Sequence, residues 1–308
     1  MPLLIWAGAA CAEMQETAFF AAEVKSGKLP KVEERVPREP AVVRVASVGR
    51  PGGDLRMLMA SPKDTRMMVV YGYARLVGFT PALELAPDIL KSIDVEGGRV
   101  FTLHLRQGMK WSDGQPFTAE DFRYWFEDVA RNPTLSPSGL PVSLTPRGQP
   151  PRFEALDETT VRYTWPVPNP LFLPNLAGAD PLFIYCPAHY LKQFHKKYAD
   201  KETLAMLVRR AKVHDWAALH NRMNAMYRAD NRDLPSLEPW VLQTKFPAIR
   251  LVFVRNLTIT ASTAPVISYP ISIASSSRSP AARSSPPRPV PARAICRRAT
   301  CASTITPF

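Results

Sequence analysis

The chain has 308 residues, enough for one large domain or two smaller ones, and its 46% apolar content is that of an ordinary globular protein, although 32 prolines is many. The formal charge of +12 is uneven: residues 257–308 hold six arginines and no lysine, aspartate or glutamate, while the first 256 hold 33 Lys+Arg against 27 Asp+Glu. The large body is thus only mildly basic, which removes net charge as an argument for nucleic-acid binding.

The N-terminus, MPLLIWAGAACAE, is short and apolar and ends in Ala10-Cys11-Ala12, an A-x-A-like cleavage site. It predicts a signal peptide over residues 1–12, without the usual basic n-region. The alternative is a short buried strand or helix. A lipid anchor on Cys11 is a weak reading, because Gly8 stands where an apolar residue is expected.

The polar, proline-punctuated stretch after it predicts a short helix and then an extended segment. GGDLRMLMASPKDTRMMVVYGYARLVGF reads as two strands separated by a turn at Ser61-Pro62-Lys63-Asp64. From residue 100 to 106, Phe101, Leu103 and Leu105 alternate with polar or β-branched neighbours, the period of a half-buried strand. Asp113-Gly114 marks a turn. Thr118 followed by Asp121 is a variant capping box, and opens a helix over 119–130 with Phe122, Trp125, Phe126 and Val129 on one face. TVRYTWPVPNP is another strand. Residues 188–228 are helical in pattern, with breaks near Asp200 and Asp215, and IRLVFVRN is again a strand. Strands interleaved with helices predict an α/β fold with a mixed sheet.

Motifs for chemistry are missing. No GxSxG elbow, phosphate-binding loop or GxGxxG run is present. His189 and His195, and likewise His214 and His220, are six residues apart, which does not place a pair on one helix face. His104 stands alone. Trp111-Ser112-Asp113-Gly114 holds a serine and a carboxylate, but a strand end, a turn and a capped helix account for each residue there. The four cysteines, Cys11, Cys186, Cys296 and Cys301, form neither a CxxC pair nor a disulfide framework. No run of about 18 apolar residues suggests a membrane-spanning helix. The expectation is a protein that is not an enzyme and that needs no cofactor or metal.

One stretch is distinctive. Residues 101–129, FTLHLRQGMKWSDGQPFTAEDFRYWFEDV, follow LAPDILKSIDVEGG. A strand ends in Trp111. The Asp113-Gly114 turn follows, then Pro116-Phe117-Thr118, and the acidic pair Glu120-Asp121 opens a helix. This resembles the family 5 extracellular solute-binding proteins of ABC importers, the oligopeptide- and dipeptide-binding type. The resemblance can be followed from Glu23 to Asn256. It implies a type II periplasmic-binding-protein-like fold, a mixed sheet with flanking helices, of which residues 13–256 are the first lobe only. It also implies hinge closure on a peptide or similar small solute, bound largely through main-chain hydrogen bonds. The partner would be an ABC permease in the inner membrane, the location periplasmic, and nucleic acid is not expected. The loop after the first core strand of this family contributes to the ligand cleft. The matching residues place Tyr71, Tyr73 and Arg75 as candidate ligand contacts, although the family more often has an acidic residue in this loop. The two tyrosines read equally well as core aromatics.

The family is longer than this chain, and its second lobe follows the strand that here reads IRLVFVRN. Here the sequence turns instead into a Ser/Pro/Arg-rich segment. Read one base earlier, the codons of Thr258-Ile259-Thr260 are compatible with Tyr-Tyr-His, and those from Ala261 with RIDSTGNQLPYIDRVIFS, the kind of sequence the family has there. The expectation is therefore a frameshifted translation from about Leu257, a disordered segment over 257–308, and a truncated chain that binds ligand poorly. The competing reading is a secreted basic protein whose Arg/Pro-rich tail binds anionic surfaces or nucleic acid.

Overall fold

The computed structural model describes residue 14, residues 16–43 and 56–258, and the backbone of two short strands at 261–263 and 277–278. The expected signal peptide, Cys11 and most of the 257–308 segment lie outside the described residues.

In chain order, α1 (Ala21–Lys25) and α2 (Val32–Arg35) precede β1 (Ala41–Val43). A 3-10 helix (Pro62–Met67) runs into α3 (Met68–Gly72), and β2 (Val77–Phe79) and β3 (Leu85–Pro87) form a hairpin. Next come β4 (Ser92–Glu96), β5 (Val100–His104), α4 (Ala119–Arg123), β6 (Arg152–Asp157) and β7 (Thr160–Thr164). Then come α5 (Phe172–Ala177), α6 (Ala188–Leu191), α7 (Lys201–Ala211) and α8 (Trp216–Asn224). The last strands are β8 (Trp240–Leu242), β9 (Arg250–Leu251), β10 (Phe253–Arg255), β11 (Ala261–Thr263) and β12 (Ser277–Arg278).

The main sheet is antiparallel, in the order β4-β5-β7-β6. Gly97 and Gly98, at φ +58° and +63°, make the tight turn that returns β4 into β5, a conformation only glycine adopts freely. Asp157 closes the β6–β7 turn by accepting from Thr159 N at 2.7 Å. The inward faces carry an aromatic cluster. Phe101, Trp165 and Phe172 meet at centroid distances of 4.8–5.6 Å, and Trp165 Nε1 donates to Leu144 O at 2.8 Å. Parallel and antiparallel pairings both occur, the parallel one in a separate pair, β1 with β11. That pair and β9–β12 take two short stretches of the segment expected to be disordered.

Several local expectations hold. Thr118 N donates to the Asp121 carboxylate at 3.0 Å, and Glu120 N to Thr118 Oγ1 at 3.3 Å, so the capping box is formed. Phe122, Trp125, Phe126 and Val129 are all buried. The helix does not stay α-helical, however. Beyond Arg123 it widens into a π-turn over Tyr124–Ala130, which also buries Tyr124. The breaks at Asp200 and Asp215 are N-caps: their carboxylates accept from Thr203 N at 2.9 Å and Ala218 N at 2.7 Å, opening α7 and α8. IRLVFVRN is split at Val252, whose N–H turns to Thr244 Oγ1.

One strand expectation is corrected. Ser61-Pro62-Lys63-Asp64 does not join two strands; it starts a helix. Asp64 accepts from Ser61 N at 2.9 Å and Pro62 occupies the first turn, where its missing N–H costs nothing. The segment to Gly72 is helical, and the strand begins only at Val77.

Behind the π-turn lies a histidine pair. His220 is fully buried, its Nε2 lies 2.8 Å from the Tyr124 hydroxyl, and its Nδ1 has no partner among the described residues. Burial, with a smaller push from His195, lowers the imidazole to about 4 from its ordinary 6.5. A histidine buried neutral favours folding above its unfolded value and loses that advantage as pH falls, because the unfolded chain takes the proton first. Between pH 6.5 and 4, His220→Gln should therefore gain stability relative to the wild type, by about 3 kcal/mol at the acid end. Denaturant titrations of both proteins at a series of pH values measure that difference. A pH-independent gap would contradict it.

Candidate functional site

Tyr71, Tyr73 and Arg75 sit close together where the last turn of α3 leads into β2. Tyr71 is the second-last residue of α3 and is half-exposed, at 51%. Tyr73 ends the helix in the left-handed region, φ 47°, which reverses the chain toward β2. Its hydroxyl donates to Ala177 O at 2.8 Å. The three residues come together, but they face different ways.

Arg75 is 1% exposed. A guanidinium carries five N–H donors, and each has an acceptor here. Nε donates to Gly178 O at 3.0 Å. One terminal nitrogen donates to Ala74 O and the Glu238 carboxylate, at 3.0 and 3.2 Å. The other donates to Val69 O and Ala179 O, at 2.8 and 3.4 Å. The ring of Tyr73 lies 4.9 Å from the guanidinium carbon. With all five donors engaged, Arg75 reaches no ligand without first breaking the frame. It is a positioning residue that ties the turn to the loop after α5 and to the segment before β8. Of the three residues, Tyr71 is the one open to solvent.

Sequence reasoning missed the other half of this frame. Glu238, 3% exposed in its side chain, receives Arg75 and also Ala74 N at 3.4 Å. Asp88 receives Arg75 N at 2.9 Å. Burial pushes Asp88 up to about 6, against the pull of the bond from Arg75. Burial likewise pushes Glu238 up, against the attraction of the Arg75 guanidinium. The cluster is thus two desolvated carboxylates around one cation, and only the ion pair makes that burial tolerable.

Gly72 is needed for close approach. A Cβ there would stand 2.6 Å from the Glu238 carboxylate and 3.0 Å from Pro239 Cδ. Gly72→Ala should cost about 1–3 kcal/mol, as overpacking does. Denaturant unfolding checks this, and a neutral or stabilising result would mean that the 236–239 segment moves aside freely.

The distinctive motif packs beside this frame. Asp121, 3% exposed, accepts three bonds: from Thr118 N, from Trp111 Nε1 at 3.1 Å and from Ala188 N at 2.9 Å. Burial pushes its carboxyl up to about 6. Asp113 Oδ2 lies 2.8 Å from His189 Nε2, and Ser112 Oγ accepts from Ser236 N at 3.0 Å. The Asp113-Gly114 turn thus docks onto the 188–236 region. Trp111, Trp125, Tyr185, Cys186 and Glu238 line a cavity of about 250 Å³. Among the described residues, no group of three or more His, Cys, Asp or Glu is placed to hold a metal, and no helix is long and apolar enough to cross a membrane.

The family model "Bacterial extracellular solute-binding proteins, family 5 Middle" matches residues 84–256. A solved structure named oligopeptide-binding protein OppA superposes with a TM-score of 0.78 at 32% identity, covering 89% of this chain and 42% of that one. The periplasmic binding protein MelB of Agrobacterium fabrum C58, solved with stachyose, superposes with a TM-score of 0.67 at 23% identity, covering 86% and 41%, and shares the fold. The periplasmic alpha-galactoside-binding protein of Rhizobium meliloti (strain 1021) is 28% identical across 76% of this chain and 34% of its own length. The chain therefore spans about a third of that relative and about two fifths of the two solved structures. The family match takes in more than half of the chain and contains the whole Trp111-to-Asp121 motif, so the chain belongs to the family 5 bacterial extracellular solute-binding proteins.

Proposed function

We propose that this chain is the solute-capturing lobe of an ABC importer's periplasmic binding protein, that its solute is an oligopeptide, and that its partner is an inner-membrane permease. Residues 13–256 form the first lobe in this reading. The observation that carries it is the Tyr71 turn: a half-exposed aromatic on a backbone that Arg75 grips at Val69 O and Ala74 O and ties to Gly178 O, Ala179 O and the Glu238 carboxylate. A rigid turn of this kind loses little entropy when a ligand docks on it. Likeness to the oligopeptide-binding structure supports the peptide assignment. A second reading, an α-galactoside as solute, is favoured by the Rhizobium relative, whose match extends over 76% of the chain.

One lobe offers half of a closing cleft, so affinity is spread over surfaces that this chain supplies only in part. Titration of the 308-residue chain with a mixed oligopeptide pool and with raffinose, followed by tryptophan fluorescence, tests both readings. Saturation by peptides at about millimolar concentration, lost in Tyr71→Ala, supports the proposal. Saturation by raffinose alone moves the assignment to α-galactosides. Micromolar peptide binding would overturn the single-lobe account.

We also infer, from the compositional break at about Leu257, that the segment beyond it is read out of frame. Resequencing the DNA across the codons of Asn256 and Leu257 checks this. A single-base difference restoring the long frame supports it and makes the segment an error; an unchanged sequence whose shifted frame encodes no family-like continuation contradicts it.

A further inference from the structure

We propose that the cavity walled by Trp111, Trp125, Tyr185, Met226 and Glu238 is a small-molecule site in its own right, taking a neutral aromatic ring that carries a hydrogen-bond donor, a ligand of the phenol class. The site goes beyond solute capture by the Tyr71 turn. Its lining residues all fall between 111 and 238.

Size and shape come first. The cavity measures about 250 Å³. An engineered apolar cavity of about 150 Å³ accepts benzene, so a substituted ring fits here. The walls are stiff. Trp111 packs edge-on against Phe117 at 5.3 Å, and Phe117 packs against Tyr185 at 5.2 Å. The Trp111 indole is pinned through Nε1 to Asp121 at 3.1 Å. Aromatic walls held in this way keep the space open instead of collapsing into it.

Chemistry narrows the ligand. Tyr185 lines the cavity and is 8% exposed, and its hydroxyl can both donate and accept. Glu238 uses its oxygens for Arg75 and Ala74 N, while a carboxylate offers about four acceptor positions. Two groups able to hydrogen-bond a ligand therefore line an aromatic space. A plain hydrocarbon would use neither. An anion would meet the buried Glu238 carboxylate. A neutral ring with a donor satisfies the acceptor and places its remainder against Trp111, Trp125 and Met226.

The test uses 4-fluorophenol, 4-fluorotoluene and 4-fluorobenzoate with the full 308-residue chain, followed by fluorine NMR. The expected result is one saturable site for 4-fluorophenol, with affinity about tenfold above that for 4-fluorotoluene, the worth of one good hydrogen bond. 4-Fluorobenzoate should not compete. Tyr185→Phe should narrow the preference for the phenol, and Met226→Trp, which fills the space, should weaken phenol binding about tenfold while the chain remains folded by near-UV circular dichroism. If Met226→Trp does not fold, the wild type still decides. Saturating 4-fluorophenol should slow alkylation of Cys186, a cavity-lining thiol, as read by peptide mass spectrometry. Equal affinity for the phenol and the toluene, competition by the benzoate, or unchanged Cys186 alkylation at saturation would each overturn the proposal.

Discussion

Arg75→Met is expected to lower the unfolding free energy by about 3–5 kcal/mol, the cost of leaving a buried carboxylate without its cation. The substitution removes the guanidinium and keeps most of the aliphatic length. Glu238 would then remain desolvated with only Ala74 N as partner, and four backbone carbonyls would lose a donor. Solvent does not soften the loss, since the two side chains are 1% and 3% exposed. The double variant Arg75→Met/Glu238→Leu should recover part of it, because no charge of this pair is then stranded. Urea unfolding of the two single variants and the double variant measures the coupling. Strict additivity would mean that the pair is not energetically linked.

Asp121→Ala is expected to cost at least about 3 kcal/mol. Three buried or part-buried donors, Thr118 N, Trp111 Nε1 and Ala188 N, lose one shared acceptor, and each orphaned donor costs about 1–3 kcal/mol. The consequence is more than local. Asp121 joins the start of α4 and Trp111, in the loop after β5, to the start of α6, 67 residues further along the chain. Asp121→Asn keeps an acceptor oxygen and should cost clearly less. Equal losses for the two variants in thermal unfolding would show that charge, not hydrogen bonding, matters there.

What the sequence revealed was mostly what neighbouring residues decide among themselves. Asp200 and Asp215 announce helix starts because an N-cap needs only a carboxylate and an N–H three residues on. The same rule located Thr118 and Asp121. It misled at Ser61 to Asp64, where identical residue types serve a turn or a capping box and the residues downstream decide between them. The π-turn after Arg123 leaves no trace in an apolar pattern that an α-helix satisfies as well. The frame around the Tyr71 turn was legible only in outline. The turn carrying Tyr71 could be located from resemblance, but the role of Arg75 could not. Its partner Glu238 is 163 residues away, in LPSLEPWVL, where a lone glutamate looks like any surface carboxylate. Long-range pairing of this kind is set by the closed fold, and no local spacing encodes it.

Hydrogen–deuterium exchange of the 308-residue chain, with and without the oligopeptide pool at saturation, tests the central claim most directly: that the turn carrying Tyr71 is the face this lobe offers to solute. The predicted result is slowed exchange concentrated in residues 69–75, lost in Tyr71→Ala, with the Trp111–Asp121 motif unchanged. Saturable binding that leaves 69–75 unprotected and protects another segment would contradict it.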